Sequence, residues 1–247
     1  MCSQLLFGET YSVTVNDGEW LKVRLDLDGY EGWINGKGHQ PISEEESARF
    51  REEGIRCSTD LVQLMTNKSK EVSFPVLLGS SLPGLEEDRM DIAGQTFIYH
   101  GAVSLAADFA GEEGPEDMME LKHDLVQDAL QYKEAPYLWG GRSLFGIDCS
   151  GLVQMAYKLK GISLNRDAWQ QAEMGEPVES LDMAEPGDLA FFANDMGKIT
   201  HVGLLIDRQK ILHCSGKVRV DLIDATGIYH NDDHEYTHKL KSIRRIL

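Results

Sequence analysis

Phe145-Gly-Ile-Asp-Cys-Ser-Gly151 sets one cysteine between a glycine-punctuated turn and the start of an amphipathic helix. Leu152, Val153, Ala156 and Tyr157 repeat at helical spacing, Gly161 supplies a stop, and Asp148 or Ser150 can cap the start. Cys149 therefore falls at the positive end of a helix dipole, where a thiolate is favoured and the thiol pKa is expected to fall. A packing cysteine is the plain alternative. The sequence on either side weighs against it. Upstream stands Tyr137-Leu-Trp-Gly-Gly141; downstream, Thr200-His-Val-Gly203 and Ile211-Leu-His213 each carry a histidine inside a short apolar run that reads as a strand.

The flanking sequence fills in a domain around that cysteine. Pro115, with Glu116 and Asp117 behind it, suits a helix start, and a helix is expected from about Glu116 to Lys133 with Met118, Leu121, Leu125, Ala129 and Tyr132 as its buried stripe. After the cysteine helix comes a polar connection holding Asn165-Arg-Asp-Ala-Trp169. Strands are then expected at Leu189–Phe192, Val202–Ile206, Lys210–His213 and Ser242–Leu247, which puts both histidines on neighbouring antiparallel strands. The boundary in front of this domain is read at Gly111-Glu-Glu-Gly-Pro115.

The N-terminal half reads as two small β-barrels. Leu5–Phe7, Tyr11–Val15, Trp20–Arg24 and Gly32–Ile34 are short strands separated by Asn16-Asp-Gly18 and Asp26-Leu-Asp-Gly29. Residues 43–57 are a polar linker or short helix. Leu61–Met65, Val76–Leu78, Gln95–Tyr99 and Val103–Leu105 make a second set, broken by Ser80-Ser-Leu-Pro-Gly84 and an acidic turn at Glu86-Glu-Asp88.

The chain has 247 residues and a formal net charge of −17. So negative a surface repels nucleic acid and anionic membrane, and neither is an expected partner. Cys2, Cys57, Cys149 and Cys214 have neither CxxC spacing nor the density of a disulfide scaffold, which suits a reducing compartment. Without a signal-peptide pattern at the N-terminus the expected location is the cytoplasm, or an exported one if a leader has been removed. A monomer is expected.

Tyr137-Leu-Trp-Gly-Gly, Asp148-Cys-Ser-Gly-Leu-Val153, Arg166-Asp-Ala-Trp-Gln-Gln171, Pro186-Gly-Asp-Leu189, His201-Val-Gly and His213-Cys-Ser stand in the order and spacing of the NlpC/P60 peptidoglycan peptidases, which the domain resembles. Ser3-Gln-Leu-Leu-Phe-Gly-Glu9, Trp20-Leu-Lys-Val and Gly29-Tyr-Glu-Gly-Trp33 resemble the bacterial SH3 domains attached to cell-wall enzymes. The implied architecture is multidomain: an SH3-like domain over 1–42, a linker over 43–57, a second SH3-like barrel over 58–112, and over 113–247 an α+β papain-like domain with an antiparallel sheet. The whole chain is similar to γ-D-glutamyl-L-diamino-acid endopeptidases. Cys149 is then the nucleophile, His201 the base and His213 the third member; short peptidoglycan peptides are the substrate, and no cofactor is required.

The roles also follow from the chemistry of the side chains. A histidine titrating near neutrality can take the thiol proton and return it to a leaving amine, while a second fixes its tautomer. The Cys149 N–H, helped by the Tyr137 hydroxyl, can meet an oxyanion. The resemblance further implies that Asp148, Ser150 and Asp167, with Tyr137 lining the site, grip the free amine of an L-Ala-γ-D-Glu head; read without it, Asp148 and Ser150 are helix caps and Arg166 and Asp167 a solvated turn pair. Tyr30, Glu31 and Trp33 are further candidates from the first SH3-like domain. A zinc site of Cys149, His201, His213 and Cys214 is the sharpest rival, and no metal is expected, because successive residues of a strand point to opposite faces. Two more functions fit the same residues: a wall-binding adaptor that has lost its activity, and an amidase or acyltransferase on the same fold.

Overall fold

The structure is a computed structural model that describes residues 1–104 and 115–247. These form two compact units, one of residues 2–104 with Lys158–Ser163 and one of residues 115–157 with Leu164–Leu247. The boundary expected at Gly111-Glu-Glu-Gly114, and Leu105 at the end of an expected strand, lie outside the described residues.

In the first unit, β1 (Tyr11–Asp17), β2 (Trp20–Leu25) and β3 (Glu31–Asn35) make an antiparallel sheet. Its alternation buries Leu21, Val23 and Leu25 against Leu5, Tyr11 and Ile34. Leu5–Phe7, expected as a strand, is not one. Glu9 accepts the Leu6 N–H at 2.9 Å and turns the chain, while the Phe7 ring packs on Phe74 and Phe97 at centroid distances of 5.4 and 5.8 Å. The polar stretch that follows forms α1 (Glu44–Glu52), started by a reciprocal Ser43–Glu46 capping box.

The second set comprises β4 (Cys57–Ser58), β5 (Val62–Asn67), β6 (Val72–Leu77), β7 (Arg89–Ile92), β8 (Gln95–Tyr99) and β9 (Val103–Ser104). They form a sheet in the order β6-β5-β8-β7 and a β4–β9 pair over Met65, Val76, Leu82, Met90 and Tyr99. Strand β7 lacks an apolar run that would mark it in the sequence. It is folded back onto β8 by Ala93-Gly94, both at positive φ.

In the second unit, α2 (Pro115–Leu130) buries Leu125, Val126 and Ala129 and passes into turns before the expected end at Lys133. A hairpin of β10 (Arg142–Ser143) and β11 (Gly146–Ile147) delivers the chain to α3 (Cys149–Leu159). Then come α4 (Ala168–Gln171), β12 (Glu176–Val178), β13 (Leu189–Ala193), β14 (Ile199–Leu205), β15 (Lys210–Ser215), β16 (Lys217–Ile223), β17 (Gly227–His230) and β18 (Glu235–Arg245).

Strands β13 to β18 pair antiparallel in chain order, and β18 returns to β13, so the sheet closes into a six-stranded barrel with β12 added along β18. Strands β16 and β17 were not among the expected ones, and β18 begins seven residues earlier than Ser242. Its long polar stretch is needed because it serves two partners, β17 first and β13 after. Gly227 sits at the closure: its φ is 150°, and a Cβ there would run into the His238 carbonyl oxygen. Ala190, Phe192, Leu205, Ile211, Ile223, Ile228 and Ile243 fill the barrel. By strand alternation His201 shares the inward face with Leu205, His213 with Ile211, and Asp221 with Ile223.

Candidate active site

Two structures meet at Cys149: the start of α3 and one end of the barrel. At the first, Asp148 acts as the helix cap, its Oδ1 accepting the Gly151 N–H at 2.7 Å. The same carboxylate takes the Gly140 N–H on Oδ2 at 2.7 Å and the Ser150 hydroxyl on Oδ1 at 3.2 Å. Arg166 forks onto it, Nη1 to Oδ1 at 3.0 Å and Nη2 to Oδ2 at 2.7 Å, and also donates to Ser150 Oγ at 2.8 Å. Arg166 is thus a buried partner of Asp148 and not half of a solvated turn pair. Gln171 ties α4 to the same turn by donating to the Ser150 carbonyl at 3.1 Å.

These contacts alter the reading of the amine-binding residues. With five donors on its two oxygens, Asp148 has no lone pair left over for a substrate amine, and Ser150 is committed on both sides. Asp167 stands apart from this network, half-buried at the start of α4, with its N–H donated to Gln170 Oε1 at 3.1 Å. Tyr137 is partly exposed beside Cys149 and Asp148. Burial, then the nearby Cys149 and Asp148, push its phenol up to about 12, so it stands as a neutral donor at physiological pH.

The thiol itself departs from expectation. Burial first, then the Asp148 carboxylate, raise Cys149 to about 11, against the opposing pull of the Val202 and Ser150 N–H groups and of Arg166. The half-charge of a helix start does not outweigh burial and a neighbouring anion. Cys149 is therefore a thiol at rest. The Val202 N–H that reaches its sulfur belongs to the residue after His201 and brings α3 up against β14.

At the barrel end, His201 Nε2 lies 2.9 Å from His213 Nδ1, and His213 Nε2 lies 3.0 Å from Asp221 Oδ2. Burial alone would raise Asp221, but hydrogen bonds from His213, Arg219 and the Asn231 N–H prevail and hold its carboxyl well below the usual range. Arg219 forks onto the same carboxylate at 2.6 and 3.0 Å. His213, lowered by burial, and His201, lowered further by burial and then by its histidine neighbours, are both neutral. Proton accounting then fixes the tautomers. Ionised Asp221 can only accept, so His213 donates from Nε2 and accepts at Nδ1; His201 donates from Nε2, which leaves its Nδ1 bare.

Gly203 makes room for this pair. It stands opposite His213, and a Cβ there would come within 2.9 Å of the His213 Cβ and 2.6 Å of Ile211. Cys214 points the other way, as strand alternation required: its Sγ donates to the Ile147 carbonyl at 3.2 Å. With both His213 nitrogens engaged and Cys214 on the far face, these four side chains do not converge on a common point.

Sequence reasoning did not find Asp221, Arg219 or His238, whose ring stacks on His201 with centroids 4.1 Å apart. The available signal was an acidic residue two positions before Ile223, in a run, Lys217-Val-Arg-Val-Asp-Leu-Ile223, that alternates as a strand after the turn glycine Gly216.

Comparison with known proteins gives two family matches: the NlpC/P60 family over residues 134–237, and the bacterial dipeptidyl-peptidase SH3 domain over residues 1–38. A γ-D-glutamyl-L-lysine dipeptidyl-peptidase of Bacillus subtilis is 34% identical over 223 residues, covering 85% of this chain and 71% of that protein. One of the same name from Bacillus cereus is 29% identical over 224 residues, covering 85% and 66%. Among solved structures, an NlpC/P60 family protein from Bacillus cereus matches 99% of this chain and 82% of its own, with a TM-score of 0.78 and 25% identity.

Proposed function

Because the chain belongs to the NlpC/P60 family and is a peptidase, we propose that it hydrolyses the γ-D-glutamyl to diamino-acid bond of short peptidoglycan peptides that carry a free N-terminal L-Ala. The observation that carries this reading is the hydrogen-bonded series His201, His213 and Asp221, beginning on the strand whose Val202 N–H reaches the Cys149 sulfur. Its bare His201 Nδ1 is the nitrogen that takes the thiol proton as sulfur attacks the γ-carbonyl carbon. Thiol and imidazole are both neutral beforehand, so proton transfer and attack are coupled.

The oxyanion is met by the Cys149 N–H at the start of α3, those of Ser150 and Gly151 being given to the Cys149 sulfur and to Asp148, and by the Tyr137 hydroxyl. Collapse expels the diamino acid, whose amine takes the proton back from His201, and leaves a thioester on Cys149. Water, deprotonated by the same nitrogen, then releases the dipeptide. Asp221 and His213 keep His201 in the tautomer that both steps need.

Substrate choice is supported by the names of the two Bacillus relatives, since a dipeptidyl-peptidase must read the amine that ends its substrate. Of the groups expected to do so, Asp148 and Ser150 are engaged internally and the Tyr137 hydroxyl serves the oxyanion, so we assign the amine to Asp167. Peptide still attached to the wall through L-Ala lacks that amine and becomes a substrate only after an amidase has freed it.

Mass spectrometry of products from L-Ala-γ-D-Glu-L-Lys, from its meso-diaminopimelate counterpart and from the N-acetyl form of each tests this directly. Cleavage after γ-D-Glu in the free-amine peptides is expected, with kcat/KM lower by about a hundredfold for the acetylated ones and that preference reduced in Asp167→Asn. Equal cleavage of free and acetylated peptides overturns the amine assignment, and no cleavage of any overturns the substrate class.

A further inference from the structure

The hydrogen-bonded array leaves one ring unaccounted for. His238, on β18 opposite Ile228, lies where that strand passes from β17 to β13, one residue beyond the segment matched by the peptidase family. Its ring lies over His201 with centroids 4.1 Å apart and planes 29° from parallel, whereas His213 meets His201 edge-on at 88° and Phe192 meets it tilted at 46°. His238 does not continue the proton array. Its Nδ1 lies 2.8 Å from Thr237 Oγ1 on its own strand.

An imidazole held by one hydrogen bond at Nε2 can still swing about that bond, and swinging would carry its bare Nδ1 away from the sulfur. A flat ring against its face removes that freedom. We propose that His238 is a positioning residue for the reaction, its stacked ring fixing the plane in which His201 offers Nδ1 to the Cys149 thiol. The proposal rests on the reading of Cys149 and His201 as nucleophile and base.

The surroundings of His238 suit a neutral ring. Facing it are His201 from β14, His213 from β15, Asp221 with its partner Arg219 from β16, and His230, paired with Asp233 at 2.6 Å, from β17; β13 contributes the uncharged Phe192. Burial, then His213 and His230, lower His238 to about 4, with Asp221 opposing. Near neutral pH the stacking partner of His201 is therefore itself uncharged.

Two variants separate stacking from other roles. His238→Ala removes the ring, and His238→Phe restores a flat apolar ring that cannot ionise or hydrogen-bond. On the free-amine tripeptide, His238→Ala is expected to lower kcat by about 10–30-fold with KM within about twofold of wild type, and His238→Phe to return to within about threefold. Proton and nitrogen NMR of the histidines reads the same point without substrate. In His238→Ala the His201 titration is expected to rise by about one pH unit as water reaches the ring, and in His238→Phe to rise by less, since a flat ring still excludes water and only the repulsion of the neighbouring imidazole is lost. Either of two results overturns the proposal: kcat and His201 titration both unmoved in His238→Ala, or His238→Phe as impaired as His238→Ala. If wild type fails to cleave the tripeptide, the substrate reading falls, and the NMR comparison still decides the role of His238.

Discussion

Asp148 meets a guanidinium, a hydroxyl and two backbone N–H groups at the start of α3, whereas at the barrel end three histidines meet one another and a single carboxylate. Both places are buried, yet they handle charge in opposite ways. The helix side keeps a full carboxylate by saturating it with donors. The barrel side keeps its imidazoles neutral by drying them, with one anion placed at the far end to orient protons. A charge that is compensated in place holds structure; groups kept short of charge remain able to take a proton. Damage to the first should therefore show in stability, and damage to the second in turnover and pH response.

The largest effect is expected from Asp221→Asn. The amide keeps the shape but turns its N–H toward His213 Nε2, which reverses both tautomers and leaves a proton on the His201 nitrogen that should receive one. A loss of about 10³–10⁴ in kcat is expected with KM little changed, by analogy with an amide replacing the orienting carboxylate of a serine-protease triad. Less than a tenfold loss in steady-state kinetics would show that the carboxylate does not set the tautomer.

Arg166→Met tests the helix side. Leaving Asp148 buried without its cation is expected to cost about 3–5 kcal/mol in urea unfolding, and the double change Arg166→Met with Asp148→Asn to recover most of that. Additive losses would mean that the two residues act separately, and the contrast with the barrel would lose its basis.

The histidines give a pH signature. His201, His213 and His238 all have folded-state values below the ordinary one. Above about pH 6.5 they are neutral folded or unfolded and stability does not respond to them. Below it the unfolded chain binds protons that the folded one refuses, so stability falls with pH until the folded values are reached, about 4 for His238. The melting temperature is expected to decline from pH 6.5 to 5, and the decline to be shallower in His238→Phe by about one proton's worth of slope. An identical slope in that variant would place His238 outside the dry cluster.

How far the sequence reaches follows the same division. Cys149, His201 and His213 are legible because each lies in a short contiguous pattern, a turn before a helix or a histidine within an apolar strand. Arg166 was visible, but its partner lies 18 positions away, and without that pairing an arginine next to an aspartate reads as solvated surface. Asp221 and His238 depend on barrel closure: they reach the site through the register of β16 on β15 and of β18 on β17, which no local periodicity records. Leu5–Phe7 failed for a related reason, since its short apolar run is that of a strand but Phe7 is drawn into the core of the second barrel.

The smallest expected effect concerns the thiol, where the two halves of the site touch. Burial and Asp148 hold it up to about 11, and His201 is lowered, so no thiolate–imidazolium pair forms in the resting enzyme. Alkylation of free enzyme by iodoacetamide should therefore be slow at pH 7 and rise about tenfold per pH unit through pH 9, following the thiolate fraction. A resting ion pair would give a fast rate already level between pH 6 and 8. Asp148→Asn removes the anion next to the sulfur and is expected to speed labelling at pH 8 by less than about tenfold, since burial is the larger cause and stays in place. A Cys149 rate that is level with pH in wild type would sink the neutral-pair description; it would also mean that the helix start, and not the barrel, governs the proton on the nucleophile.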